Sequence, residues 1–213
     1  MNDLPNSLFV IILTLNLFAL GNGRILSVMR IVAAQGVLLG LLPLLMHEHL
    51  TFPEILSSAA AISLKGIVIP GIMIKALRDV QIKREVEPLI GLLPSTILGA
   101  LVTALVFLAS SALGTAGQPA ESIIIPTSIA TVLAGFILLT TRFKALSQVL
   151  GYLVLENGIY IFSLLLVEAI PLVVEMGMLL DLFVSVFIVS IITNHINNAF
   201  SSLDTRRLAS LKE

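Results

Sequence analysis

The chain has 213 residues, 57% of them hydrophobic and only 12% charged, with a mean hydropathy of +1.08, whereas a soluble domain carries about a quarter charged residues. The composition is that of an all-α integral membrane protein, and at roughly 20 apolar residues per span no room is left for a sizeable soluble domain. A net charge of −1 gives no ground for nucleic-acid binding, and the lack of cysteine excludes disulfides, thiolate metal sites and cysteine-held iron–sulfur clusters.

Seven apolar runs are expected to span the bilayer, at residues 5–22, 25–46, 54–77, 89–113, 121–141, 144–167 and 171–193. The N-terminus lacks the positive stretch of a secretory signal, so the first run reads as a retained span. Gly21-Asn22-Gly23-Arg24 separates it from the second. Asn16 and Gln35 are lone polar residues in these two spans, accounted for by interhelical hydrogen bonds. Arg30 snorkels to the interface. His47-Glu48-His49 forms the next connection and lacks the further ligands a metal site requires. In span three, Pro53 occupies the first turn, Ser57-Ser58-Ala59-Ala60-Ala61 reads as a packing face, and Lys65 precedes Pro70 by five residues. A proline there frees a carbonyl beside the lysine and predicts a kink. Gly99-x3-Thr103 in span four is a second packing face. Glu156-Asn157-Gly158 lies in span six, and Glu175, Gly177 and Asp181 lie in span seven, with His195 beyond it at the interface. No phosphate-binding loop, nucleophile triad or H-E-x-x-H is present. No catalytic, metal or cofactor site of the chain's own is expected.

Basic residues stay preferentially on the cytoplasmic side. Arg24 and Arg30 fall at the first connection, Lys75, Arg78, Lys83 and Arg84 at the third, Arg142 and Lys144 at the fifth, and Arg206, Arg207 and Lys212 in the tail. Seven spans with the N-terminus outside and the C-terminus cytoplasmic put all of these on one side and leave Lys65 inside a span. The expected divisions are an N-terminal membrane region (1–115), a three-helix region (116–200) and a cytoplasmic tail (201–213). Spans one to three and five to seven share an orientation, so a weak internal repeat bridged by span four is a further expectation.

Helix rise places the buried charges at one depth. Lys65 is 12 residues past Pro53, about 18 Å into the membrane, and Glu156 and Asp181 lie about 18 and 15 Å from the outer connection. Each costs about 2.5–3.5 kcal/mol if unpaired. Glu175 sits about 9 Å nearer the outside. Two readings fit these residues. In one, Lys65 pairs with Glu156 or Asp181 as an ion pair that fixes packing. In the other, Lys65, Glu156, Glu175 and Asp181 form a proton or ion relay, because one lysine can neutralise only one of the three carboxyl groups in spans six and seven.

Gly151-Tyr152-x3-Glu156-Asn157-Gly158 and Pro171-x2-Val174-Glu175-x-Gly177-x3-Asp181, with Lys65-x4-Pro70 and the tail Leu203-Asp204-x3-Leu208-x2-Leu211-Lys212, resemble the E subunit of hydrogenase-4-type membrane complexes over nearly the whole chain. The last three spans also resemble the small K subunit of respiratory complex I and the corresponding subunit of multisubunit cation/proton antiporters. In the K subunit two membrane glutamates transfer protons; Asp181 matches the position of the second, and Glu156 sits about one turn from the first. The resemblance implies a non-catalytic subunit of a redox complex in the bacterial or archaeal cytoplasmic membrane that couples electron transfer to proton or sodium movement. Its implied partners are antiporter-like membrane subunits and a nickel–iron hydrogenase or other iron–sulfur module, which carries the electrons. A structural scaffold within such a complex or an antiporter, and a free-standing secondary transporter, are the alternatives.

Overall fold

A chain crossing hydrocarbon must pair every backbone N–H and C=O internally, and a helix does so locally. The computed structural model describes residues 3–46, 52–79, 89–112 and 121–165. They form α1 (Asp3–Gly21), α2 (Ile25–Met46), α3 (Phe52–Ala61), a π-helical segment (Ile62–Val68), α4 (Ile69–Asp79), α5 (Leu92–Ala112), α6 (Glu121–Thr141) and α7 (Ala145–Ser163). The helices α1, α2, α5 and α6 are each long and apolar enough to cross a membrane. The 21 residues of α6 extend about 32 Å at ~1.5 Å each, matching a hydrocarbon core of about 30 Å. Several hydroxyls inside these helices are satisfied within their own turns: Thr14 Oγ1 donates to the Val10 carbonyl at 2.9 Å and Thr103 Oγ1 to that of Gly99 at 2.8 Å. The protein is a multi-pass membrane protein.

Helix ends depart from the expected runs for local reasons. Span four was expected from residue 89, but α5 starts at Leu92. Leu89 is instead fastened to α6, its N–H donating to the Thr141 carbonyl at 2.8 Å, and Pro94 falls in the first helical turn, where a missing N–H costs nothing. At its far end α7 stops at Ser163, because the N–H groups of Leu164 and Leu165 turn back three residues, to the carbonyls of Ile161 and Phe162. The third run is continuous from Phe52 to Asp79 and carries the π-helical segment immediately before Pro70, so the local disturbance expected at this proline takes the form of a widened turn. His47-Glu48-His49, span seven at 171–193, His195 and the tail lie outside the described residues.

Packing follows from small residues. The helices α1, α2, α7 and α6 form a closed ring of neighbours, with α3, the π segment and α4 laid on α2, and α5 laid on α1 and α6. Three glycines draw α6 and α7 into backbone contact: a Cβ at Gly151 would stand 2.6 Å from the Leu139 nitrogen, one at Gly158 2.6 Å from that of Val132, and one at Gly135 would collide with the backbone of Leu155. Gly99 is likewise seated on α1, against Leu20. The Ser57–Ala61 stretch behaves differently from the expected packing face, since Ser58 is buried while Ala59 and Ala60 are exposed.

Two apolar clusters fill the ring. One, around Leu20, Met29, Met73, Leu138 and Leu150, occupies the end where the short α1–α2 and α6–α7 connections lie. The other, around Phe9, Leu39, Leu42, Ile124 and Ile161, occupies the opposite end. The outer face of α5, with Leu93, Leu101, Leu105 and Leu108 exposed, is the apolar surface a bilayer covers.

Candidate functional site: a polar layer at mid-height

Buried polar residues collect between the two apolar clusters. In α1, Asn16 lies between Ile12 and Ala19; in α2, Gln35 between Val32 and Leu39; in α6, Thr131 between Ile124 and Ala134; in α7, Glu156 and Asn157 between Val154 and Ile161. In each helix the flanking residues belong to opposite clusters. Placing polar groups at this level calls for partners, and the layer supplies several. Asn16 Nδ2 donates to Thr131 Oγ1 at 2.9 Å, and Gln35 Nε2 donates to Asn16 Oδ1 at 2.8 Å, so one network ties α1, α2 and α6 as the lone amides predicted.

The centre of the layer is an ion pair. Lys65 Nζ stands 3.0 Å from Glu156 Oε1, with the two side chains 9% and 7% exposed. Glu156 is one of the two acids expected as partners for Lys65; the other, Asp181, lies outside the described residues. Tyr160, one turn beyond Glu156 on α7, places its ring centroid 5.0 Å from the ammonium, within the range of a cation–π contact.

Sequence patterns show why Lys65 reaches across. It sits in the π-helical segment, where Ile69 N–H donates to the Leu64 carbonyl five residues back. Such a widened turn swings side chains away from α-helical positions and recurs at functional sites. The segment lies directly on α2 because Gly36 and Gly40 leave space: a Cβ at Gly36 would stand 2.6 Å from Lys65 Cβ, and one at Gly40 would overlap Ile62. Gly66 answers from the other side, its missing Cβ making room for Val37. This Gly36-x3-Gly40 seam was missed in the sequence reading, although small residues four apart are a known sign of close helix approach.

Arg142 was also missed as a structural residue. Counted among the basic residues of a connection, it is instead 2% exposed, and its guanidinium donates to the Leu20 carbonyl at 2.7 Å, where the last turn of α1 has carbonyls without helical donors. Burial pushes its pKa down from the usual arginine value. Arg30 is exposed, consistent with snorkelling. Among the described residues no cluster of three metal-ligating side chains occurs. Glu175 and Asp181, the other two expected members of the polar axis, lie outside the described residues.

No protein-family model matches the chain, and no solved structure matches it. It is 28% identical over 189 residues to an uncharacterized protein of Mycobacterium tuberculosis, covering 88% of this chain and 86% of the relative. It is 26% identical over 159 residues to hydrogenase-4 component E of Escherichia coli, covering 73% of this chain and 72% of that one, and the same figures hold for the Shigella flexneri protein of that name. The chain is a multi-pass membrane protein with distant similarity to hydrogenase-4 component E.

Proposed function

We propose that this protein is a non-catalytic membrane subunit of a hydrogenase-4-type, complex I-related oxidoreductase complex, and that it helps couple electron transfer to proton or sodium movement. In this reading seven spans place the N-terminus outside and the C-terminus in the cytoplasm. Lys65, Glu156, Glu175 and Asp181 line a polar axis at mid-membrane, beside antiporter-like subunits and a nickel–iron or other iron–sulfur module. The observation that carries the proposal is the Lys65–Glu156 pair at 3.0 Å inside a polar layer with apolar clusters on both sides. Ionisable groups at such depth are expensive and mark ion pathways by default. The similarity to hydrogenase-4 component E supports the setting. A charge shift along the axis changes the proton affinity of the next group, which is how such a subunit links neighbours.

The test is Glu156→Gln and Asp181→Asn in the complex purified from native membranes. The relay predicts an assembled complex whose electron transfer continues while ion translocation falls. Undiminished translocation in both variants refutes it. The completed ion pair itself favours a second reading, a scaffold subunit whose charges only set helix packing, and that reading predicts loss of assembly in the same variants.

A further inference from the structure

Next to the ion pair the packing leaves a cavity of about 10 Å³ between α2, the third helical run and α7, the size that holds a single water. Its lining includes two polar side chains, Lys65 and Asn157, among apolar neighbours. Asn157 is 2% exposed, and its Nδ2 has no hydrogen-bond acceptor among the described residues. Pro70, also in the wall, cannot donate to the turn before it, which leaves carbonyl acceptor capacity in the backbone beside Lys65. Two donors and a carbonyl are the partners a buried water needs.

The described residues that line the cavity besides Lys65 and Asn157 all lie to one side of the pair. Gly36 meets Lys65 and Gly40 meets Ile62, so the third run is antiparallel to α2, and Met73 in the wall lies toward the start of α2. Leu150 and Leu153, also in the wall, precede Glu156 and lie toward the start of α7. Both directions lead to the end of the bundle that carries Arg24, Arg142 and Lys144. On the other side of the layer the buried residues around Phe9, Leu39 and Ile161 form no part of this cavity's lining.

We propose that this cavity is a water site through which the Lys65–Glu156 pair exchanges protons with the Arg142–Lys144 end of the bundle alone, with Asn157 holding the water. The water accepts from Asn157 Nδ2 and the Lys65 ammonium and donates to the freed carbonyl. Its role in exchange rests on the relay reading; its existence and sidedness do not.

The chain contains no cysteine, so a single substituted thiol reports on its own site. Leu153→Cys and Met73→Cys in the cavity wall are compared with Leu39→Cys in the cluster around Phe9 and Ile161, each in the full chain, in sealed right-side-out and inverted native membrane vesicles. The probe is Ag⁺, small enough to follow water and reactive only with thiols it can reach in solvated form. Vesicles are treated with Ag⁺, then unfolded in SDS and labelled with a maleimide. The expected result is loss of labelling at Leu153→Cys and Met73→Cys when Ag⁺ is applied from the Arg142–Lys144 side, full labelling at Leu39→Cys, and recovery of labelling when Asn157→Leu is added. Labelling of both wall positions equal to that of Leu39→Cys, or protection from the opposite side, overturns the proposal. Protected wall thiols in a chain whose Glu156→Gln variant still translocates ions uphold the water site and refute the relay.

Discussion

Replacing Lys65 by Met, or Glu156 by Gln, removes one member of a pair whose charged atoms stand 3.0 Å apart with both side chains more than nine-tenths buried. At that distance two unit charges attract by about 5.5 kcal/mol for an effective dielectric constant of ~20. Either single substitution takes the 3.0 Å partner from the other charge in a layer with apolar clusters on both sides, and removing one partner of a buried pair costs about 3–5 kcal/mol. The double substitution removes both charges together and is expected to return close to wild-type stability, because replacing a whole buried pair with neutral side chains is often neutral. On those figures the coupling energy is about 6–10 kcal/mol, above the ~3 kcal/mol upper end of the range for residues in contact. Equilibrium unfolding of the full chain in mixed micelles titrated with SDS measures it, followed by circular dichroism because the chain has no tryptophan. Single effects that add to within about 0.5 kcal/mol in the double variant, the behaviour of independent sites, would refute the pair and with it the polar layer as described.

Three further outcomes follow from the packing. Gly36→Ala drives a Cβ to 2.6 Å from Lys65 Cβ and is expected to lower the thermal midpoint through about 1–3 kcal/mol of overpacking; Gly71→Ala meets nothing within 4 Å and gains up to ~1 kcal/mol of helix propensity, so equal shifts in the two would dispose of the α2 seam. Gly158→Ala sets a Cβ 2.6 Å from the Val132 nitrogen and 2.9 Å from the Ser128 carbonyl oxygen, neither of which can rotate away, and a midpoint within error of wild type would show that α6 and α7 are not in backbone contact. Arg142→Gln takes the donor from the Leu20 carbonyl at an expected ~1–3 kcal/mol, measured against exposed Arg30→Gln, which should stay within about 0.5 kcal/mol of wild type.

The helical membrane class, the limits of the described helices to within a few residues and the buried amides Asn16 and Gln35 were legible in the sequence, because each depends on composition and local spacing. A run of apolar residues of bilayer length has no alternative to a helix in hydrocarbon. Helix rise was enough to set Lys65 and Glu156 at comparable depth, since depth is counted along a single helix.

Which residues meet at that depth is a different kind of question, because it depends on how each helix is rotated and which helix stands beside it. Lys65 had two acids within reach by depth, and the placement of the third run on α2, next to α7, brings it to Glu156. The π-helical turn that aims the lysine and the glycine seam that admits its backbone show their effect only once the third run lies on α2. Arg142 looked like one more basic residue in a connection, and only the approach of the α1 C-terminus to the α6–α7 turn buried it. The sequence by itself determined what the chain is made to dissolve in and that Lys65 and Glu156 share one height, because composition and rise act one helix at a time; tertiary structure alone decided that these two charges face each other, because that is a property of neighbours.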